Sequence, residues 1–151
     1  MKKIMFVCTG NICRSPMAHH YMQKRVLELG KEDEYLISSC GINAANGQSP
    51  SVNSVEVMKN YGVSLENHKS TFISDSLISE YDLIITLTKY HKNIVVSTYP
   101  ELNGKVYTLK EYADPGADYI DIDDPWGLDK TVYEDCAKEI VENVDKLLEK
   151  F

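Results

Sequence analysis

Residues 8–16 read Cys-Thr-Gly-Asn-Ile-Cys-Arg-Ser-Pro, a cysteine separated by five residues from an arginine. The stretch follows the apolar run Ile4–Val7 and precedes a helical pattern, so it joins a strand to a helix N-terminus. A loop in that position turns free N–H groups inward and binds an anion, and the helix dipole adds to the attraction. Arg14 brings a guanidinium fork that grips two oxygens of a phosphate. The same field favours thiolate over thiol. Helix N-termini and nearby cations bring cysteine pKa values to roughly 3.5–7.5. Cys8 is therefore a candidate nucleophile at the floor of a phosphate cradle made by Thr9, Gly10, Asn11, Ile12, Cys13 and Ser15. Gly10 is expected to supply freedom for a tight curl and Asn11 to accept a left-handed conformation. Ser15 is expected as N-cap and Pro16 as the first helical residue, with the Ser15 hydroxyl also able to donate to the sulfur. The rival phosphate loops, G-x-x-x-x-G-K-[ST] and G-x-G-x-x-G, are absent.

Cleaving a phosphate ester also requires a proton for the departing oxygen. Residues 112–130 form a long Asp-, Pro- and Gly-rich loop holding Asp114, Asp118, Asp121, Asp123, Asp124 and Asp129. Loops of that length in compact domains are commonly functional. Trp126 in the same loop offers an aromatic wall. A calcium loop is the competing reading, but no EF-hand pattern is present.

The elements that must position these groups alternate. Residues 2–8, 35–39, 81–88 and 105–109 read as strands, and residues 16–29, 50–61, 89–97 and 131–150 as helices, with a short helix near 74–80. Ala18, Tyr21, Met22, Val26 and Leu29 mark the apolar face of the first helix. Val52, Val55, Met58 and Tyr61 mark the second, and Val132, Cys136, Ile140, Val144, Leu147 and Leu148 the last. Such alternation implies βαβ units and a parallel sheet with right-handed crossovers. Ligands then bind beyond the carboxyl ends of the strands, where residues 8–16 lie.

Composition narrows the function classes. The 151 residues suit one domain spanning 1–151. The net charge of −7 argues against nucleic-acid binding through a basic surface. Only two of the 16 basic residues are arginines, and Arg14 is one of them. No apolar stretch is long enough to span a membrane, and the N-terminal run is too short for a signal peptide. The expectation is a cytoplasmic protein with reduced cysteines. A zinc reading of Cys8 and Cys13 with His19 and His20 lacks the usual tight cysteine pair and any second pair.

At this point the chain resembles a known family. "VCTGNICRSPMA" is similar to the signature of the low-molecular-weight protein tyrosine phosphatases, and the likeness runs the length of the chain to an acidic "DP" loop before the last helix. The resemblance implies a flavodoxin-like, three-layer α/β fold with a four-stranded parallel sheet. It implies hydrolysis of protein phosphotyrosine and small aryl phosphates through a phosphocysteine intermediate, with no metal and no cofactor. It further implies inhibition by phosphate- and vanadate-like oxyanions, and a monomer is expected. Within "DDPWG" it places Asp124 as general acid and then base. Asn11, Ser15, Ser39 and His68 match positions that brace the loop, and Cys13 the second cysteine that pairs reversibly with Cys8 under oxidation. Ile12 and Trp126 would flank the substrate.

Two departures stand out. His19 replaces a common Glu, and residues 43–47 lack the aromatic that many relatives place on the opposite wall. The nearest rival is a protein-arginine phosphatase on the same scaffold, whose members carry Thr where this chain has Ile12, although "YTLKEY" (107–112) resembles them. An arsenate reductase would need relay cysteines, and none lies between Cys40 and Cys136. A non-catalytic phosphate-binding module would need no acid loop.

Overall fold

The computed structural model describes all residues, Met1–Phe151. Four strands, β1 (Lys2–Cys8), β2 (Tyr35–Gly41), β3 (Leu83–Thr86) and β4 (Val106–Thr108), form one sheet in the order β2-β1-β3-β4. Every pairing is parallel. The helices are α1 (Arg14–Glu28), α2 (Val52–Lys59), α3 (Lys89–Thr98), α4 (Leu109–Ala113) and α5 (Lys130–Leu148).

Strand alternation divides the core in two. Ile4, Phe6 and Cys8 of β1 join Leu83 and Ile85 of β3 in a cluster with α1, α2 and α5. Met5, Val7 and Ile84 face the other way, toward Val95 of α3 and Ile73 and Ile78. A strand covered on both faces reads as a continuous apolar run, and that is how β1 is written. Helices on both faces make three layers. The chain reverses its winding direction between β1 and β3, so the crevice at their carboxyl ends is the natural ligand site.

Several boundaries differ from the sequence expectation. Helix α1 begins at Arg14, with Cys13 as N-cap and no side-chain cap bond. Ser15 lies inside the first turn because its hydroxyl is drawn to Cys8 and Asn11 instead. The segment 74–80 is two 3-10 turns, Ile73–Asp75 and Ile78–Glu80, broken by a left-handed Leu77. Helix α4 occupies the start of the expected loop, nucleated by a capping box in which Thr108 and Glu111 bond each other's backbone N–H groups. On α5 Tyr133 is buried while Val132 is exposed, and on α2 Val57 replaces the exposed Val52. Leu29 at the end of α1 is also exposed. The apolar faces are set by the helices each one packs on, α1 and α2 both meeting α5, which periodicity alone does not specify.

Candidate active site

Residues 8–14 curl around the end of β1. The carbonyls of Cys8, Thr9 and Ile12 accept backbone N–H groups of Ile42, Asn43 and Ser51 at 2.8–2.9 Å. The Asn11 carbonyl accepts from His68 Nε2 at 2.9 Å. With its carbonyls held outward, the loop keeps its amide groups toward the interior, as an anion nest requires. Gly41 at the end of β2 permits this curl: an added Cβ would stand 2.4 Å from the Thr9 carbonyl oxygen and 2.9 Å from the Asn11 nitrogen. The left-handed residue of the loop is Asn11, at φ 57°. Gly10 has no such φ, and a Cβ there meets only Ile12 Cγ1 at 3.6 Å, so the expected role of Gly10 passes to Asn11.

Asn11 holds the loop together. Its side-chain oxygen accepts the Thr71 N–H at 3.0 Å, which fixes the amide so that Nδ2 donates to Ser15 Oγ at 2.7 Å and Ser39 Oγ at 3.0 Å. Ser15 Oγ lies 2.9 Å from Cys8 Sγ. Having accepted from Asn11, it keeps its proton for an anionic sulfur, which accepts only. The Asn11 N–H donates to the same sulfur at 3.3 Å.

Arg14 is nearly buried and its atoms divide into two groups. Nη1 donates to the Ile122 carbonyl at 2.8 Å. Nη2 lies 3.5 Å from Asp124 Oδ2 and donates to Thr9 Oγ1 at 3.4 Å. Nε is buried without a partner. Buried donors are nearly always satisfied, so the Nε–Nη2 edge fits a two-oxygen ligand. Thr9 Oγ1 also meets His91 Nε2 at 2.9 Å. Burial, reinforced by Arg14, pushes the His91 pKa down to about 3, so the ring is neutral at pH 7.

The acidic loop is docked, not loose. The Ile122 N–H donates to the Leu87 carbonyl at 2.8 Å, and Asp121 Oδ1 accepts the Lys89 N–H at 2.8 Å. These contacts set Asp124 above the loop, where Oδ1 accepts the Trp126 N–H at 3.0 Å. Asp123 is turned aside, its carboxylate accepting from Tyr119 Oη. The resulting pocket, about 160 Å³, is lined by Cys8 and Arg14, by Thr9, Gly10, Ile12 and Cys13 of the loop, and by Asp124 and Trp126 of the acidic segment. Trp126 is 63% exposed and is a wall open to solvent.

All the sequence-derived candidates therefore converge: Cys8, Arg14 and Asp124 in the pocket, Asn11, Ser15, Ser39 and His68 behind it. Cys13 Sγ sits 3.4 Å from Tyr133 Oη and 3.5 Å from Ser51 Oγ. Burial pushes its thiol pKa up; burial likewise raises Cys40 and Cys136, those two to about 12. Sequence reasoning missed His91, Tyr133, Ser51 and the Ile122 carbonyl. Of these only His91 carried a signal, three residues after the Thr88 cap and beyond the carboxyl end of β3.

Comparison with known proteins finds likeness along the length of the chain. The family described as low molecular weight phosphotyrosine protein phosphatase matches residues 3–151. The chain is 37% identical over 145 residues to the low molecular weight protein-tyrosine-phosphatase PtpB of Staphylococcus epidermidis, covering 96% of both chains. It is 36% identical over 148 residues to the protein-arginine-phosphatase of Geobacillus stearothermophilus, covering 98% of this chain and 95% of that one. The crystal structure of a low molecular weight protein tyrosine phosphatase from T. tengcongensis superposes with a TM-score of 0.91 at 36% identity, covering 100% of each chain. A cysteine and an arginine at the floor of an amide-lined pocket, an aspartate across from them and a likeness spanning the chain lead to one assignment: this protein belongs to the low molecular weight phosphotyrosine protein phosphatase family.

Proposed function

We propose that residues 1–151 form a single catalytic domain that hydrolyses protein phosphotyrosine, with Cys8 as nucleophile, Arg14 as phosphate clamp and Asp124 as general acid and base. The Cys8 thiolate attacks phosphorus while the Nε–Nη2 edge of Arg14 and the loop amides hold the equatorial oxygens. The P–O bond to the tyrosyl oxygen breaks, and Asp124 delivers the proton that lets it leave as a phenol. A water then attacks the phosphocysteine, gives its proton to the Asp124 carboxylate, and the sulfur departs as thiolate with release of inorganic phosphate. The residues span both steps without a metal. Oxyanions such as phosphate and vanadate would occupy the same cradle and inhibit. Oxidation would join Cys8 and Cys13 in a reversible disulfide, with both residues lining the one pocket.

The observation that carries the choice of substrate is that Ile12 and Trp126 both line the pocket. A branched aliphatic side chain and an indole form an apolar slot for a flat ring. Sequence identity does not discriminate, since a tyrosine phosphatase and an arginine phosphatase match almost equally well. The arginine-phosphatase reading is favoured by that likeness and by the stretch 107–112. The experiment is turnover of matched phosphotyrosine and phosphoarginine peptides by wild type, Cys8→Ser and Ile12→Thr, in EDTA. Wild type should prefer phosphotyrosine, Cys8→Ser should be inert, and Ile12→Thr should move the preference toward phosphoarginine. A wild-type preference for phosphoarginine overturns the substrate assignment, and robust Cys8→Ser turnover overturns the mechanism.

A further inference from the structure

Behind the phosphate loop, away from the pocket, three of the four histidines meet. His19 and His20 come from α1, and His68 from the segment between α2 and β3. One ring nitrogen from each lies within 4.8 Å of the others. His20 Nε2 is 3.0 Å from His68 Nδ1, and the His19 and His20 rings stack with centroids 4.1 Å apart. Consecutive residues on a helix ordinarily diverge by about 100°, so two adjacent imidazoles turned to a third is an unusual arrangement. We propose that His19, His20 and His68 form a binding site for a divalent ion of the zinc class, separate from the catalytic pocket and wired to its loop through Asn11 and Ser39.

Ligand chemistry supports this. Zinc binds imidazole nitrogen at about 2.0–2.1 Å, and tetrahedral angles then place ligand nitrogens about 3.3 Å apart. The closest pair is already near that spacing, and the third nitrogen needs to close by only about 1–1.5 Å. No carboxylate or thiol belongs to the cluster, so the donor set is N3 with a water in the fourth position. His68 is buried, whereas His19 and His20 are half-buried and open a path for the ion.

The outer partners also suit a metal site. Ligating histidines ordinarily anchor their second nitrogen on a carbonyl, carboxylate or water. His68 Nε2 donates to the Asn11 carbonyl, which leaves Nδ1 unprotonated and free to ligate. His19 Nδ1 is 2.8 Å from Ser39 Oγ. For His20 to ligate, its Nε2 proton, now directed to His68, moves to Nδ1, so this step releases no net proton. Through His68 and Ser39 the ion would grip Asn11 at both its backbone and side chain. Occupancy would thereby stiffen the loop that holds Cys8.

The proposal stands whichever phosphoester is the substrate. Because zinc also binds thiolates, it is tested in a Cys8→Ser, Cys13→Ser chain by calorimetric titration with Zn²⁺ alone and by Co²⁺ spectra. Expected are one site, tetrahedral ligand-field bands without thiolate-to-cobalt charge transfer, and a Tm rise of about 5–10 °C at 100-fold excess over Kd. His20→Gln and His19→Gln should each weaken binding at least about tenfold. In the unsubstituted protein with vanadate in the pocket, histidine ring ¹⁵N signals provide a readout that needs no variant. Zn²⁺ should shift three of the four and leave His91, which sits beside Arg14, unmoved. Absence of binding, binding indifferent to both substitutions, or shifts that exclude the cluster would overturn the proposal.

Discussion

Replacing Asn11 separates two contributions that the loop combines, its hydrogen bonds and its left-handed backbone. The side chain makes three hydrogen bonds, to Ser15, Ser39 and Thr71, and is fully buried. At about 0.5–1.5 kcal/mol net each, their loss costs about 1.5–4.5 kcal/mol in either Asn11→Ala or Asn11→Gly. Alanine adds about 1–2 kcal/mol of left-handed strain at φ 57°. Glycine avoids the strain but gives back about 0.4–1 kcal/mol through its more disordered unfolded state. The glycine variant should thus be the more stable by about 0.5–1 kcal/mol, equivalent to a Tm about 1–4 °C higher. Urea denaturation and calorimetry of both variants measure this directly. Both should also lose roughly tenfold in kcat/KM, because Ser15 is no longer oriented toward Cys8 and about 1.4 kcal/mol of preorganisation goes with it. An alanine variant as stable as the glycine variant, or either one with wild-type kcat/KM, would refute the assignment of Asn11 as the brace of the loop.

Asp124→Asn should reduce kcat on phosphotyrosine peptides by about 10²–10⁴-fold while vanadate still binds, as fluorescence of Trp126 would report. His91, at about 3 in the fold against an ordinary 6.5, is protonated in the unfolded chain well before the folded one. Stability should therefore fall as pH drops from about 6.5 toward 3, and His91→Gln should flatten that slope by up to about 1.4 kcal/mol per pH unit, measured by urea denaturation across the range. After brief peroxide treatment, wild-type activity should return with dithiothreitol, whereas Cys13→Ser should lose activity irreversibly. Equal recovery of the two proteins would remove Cys13 from any protective role.

The chemistry was largely written in the local chain. Strand, loop and helix lie in direct succession from Lys2 to Glu28, so the Cys8–Arg14 cradle depends on contacts between near neighbours and on the end of one strand. Its apolar run and its turn residues declare themselves by period and type. The helix start was misplaced because Ser15, a residue suited to capping, found stronger partners in Asn11 and the sulfur.

Other features needed the assembled sheet. Arg14 is anchored by a carbonyl 108 residues away, His91 reaches Thr9 across 82, and Cys13 meets Tyr133 across 120. Parallel crossovers bring such groups to one edge, and nothing in their own neighbourhoods announces the meeting. The His19–His20–His68 cluster is the same kind of product: the sequence places two consecutive imidazoles on α1, but only packing against the returning chain supplies the third. Residue types set what each side chain is able to do, and their convergence is decided by which strand ends the hydrophobic core forces side by side.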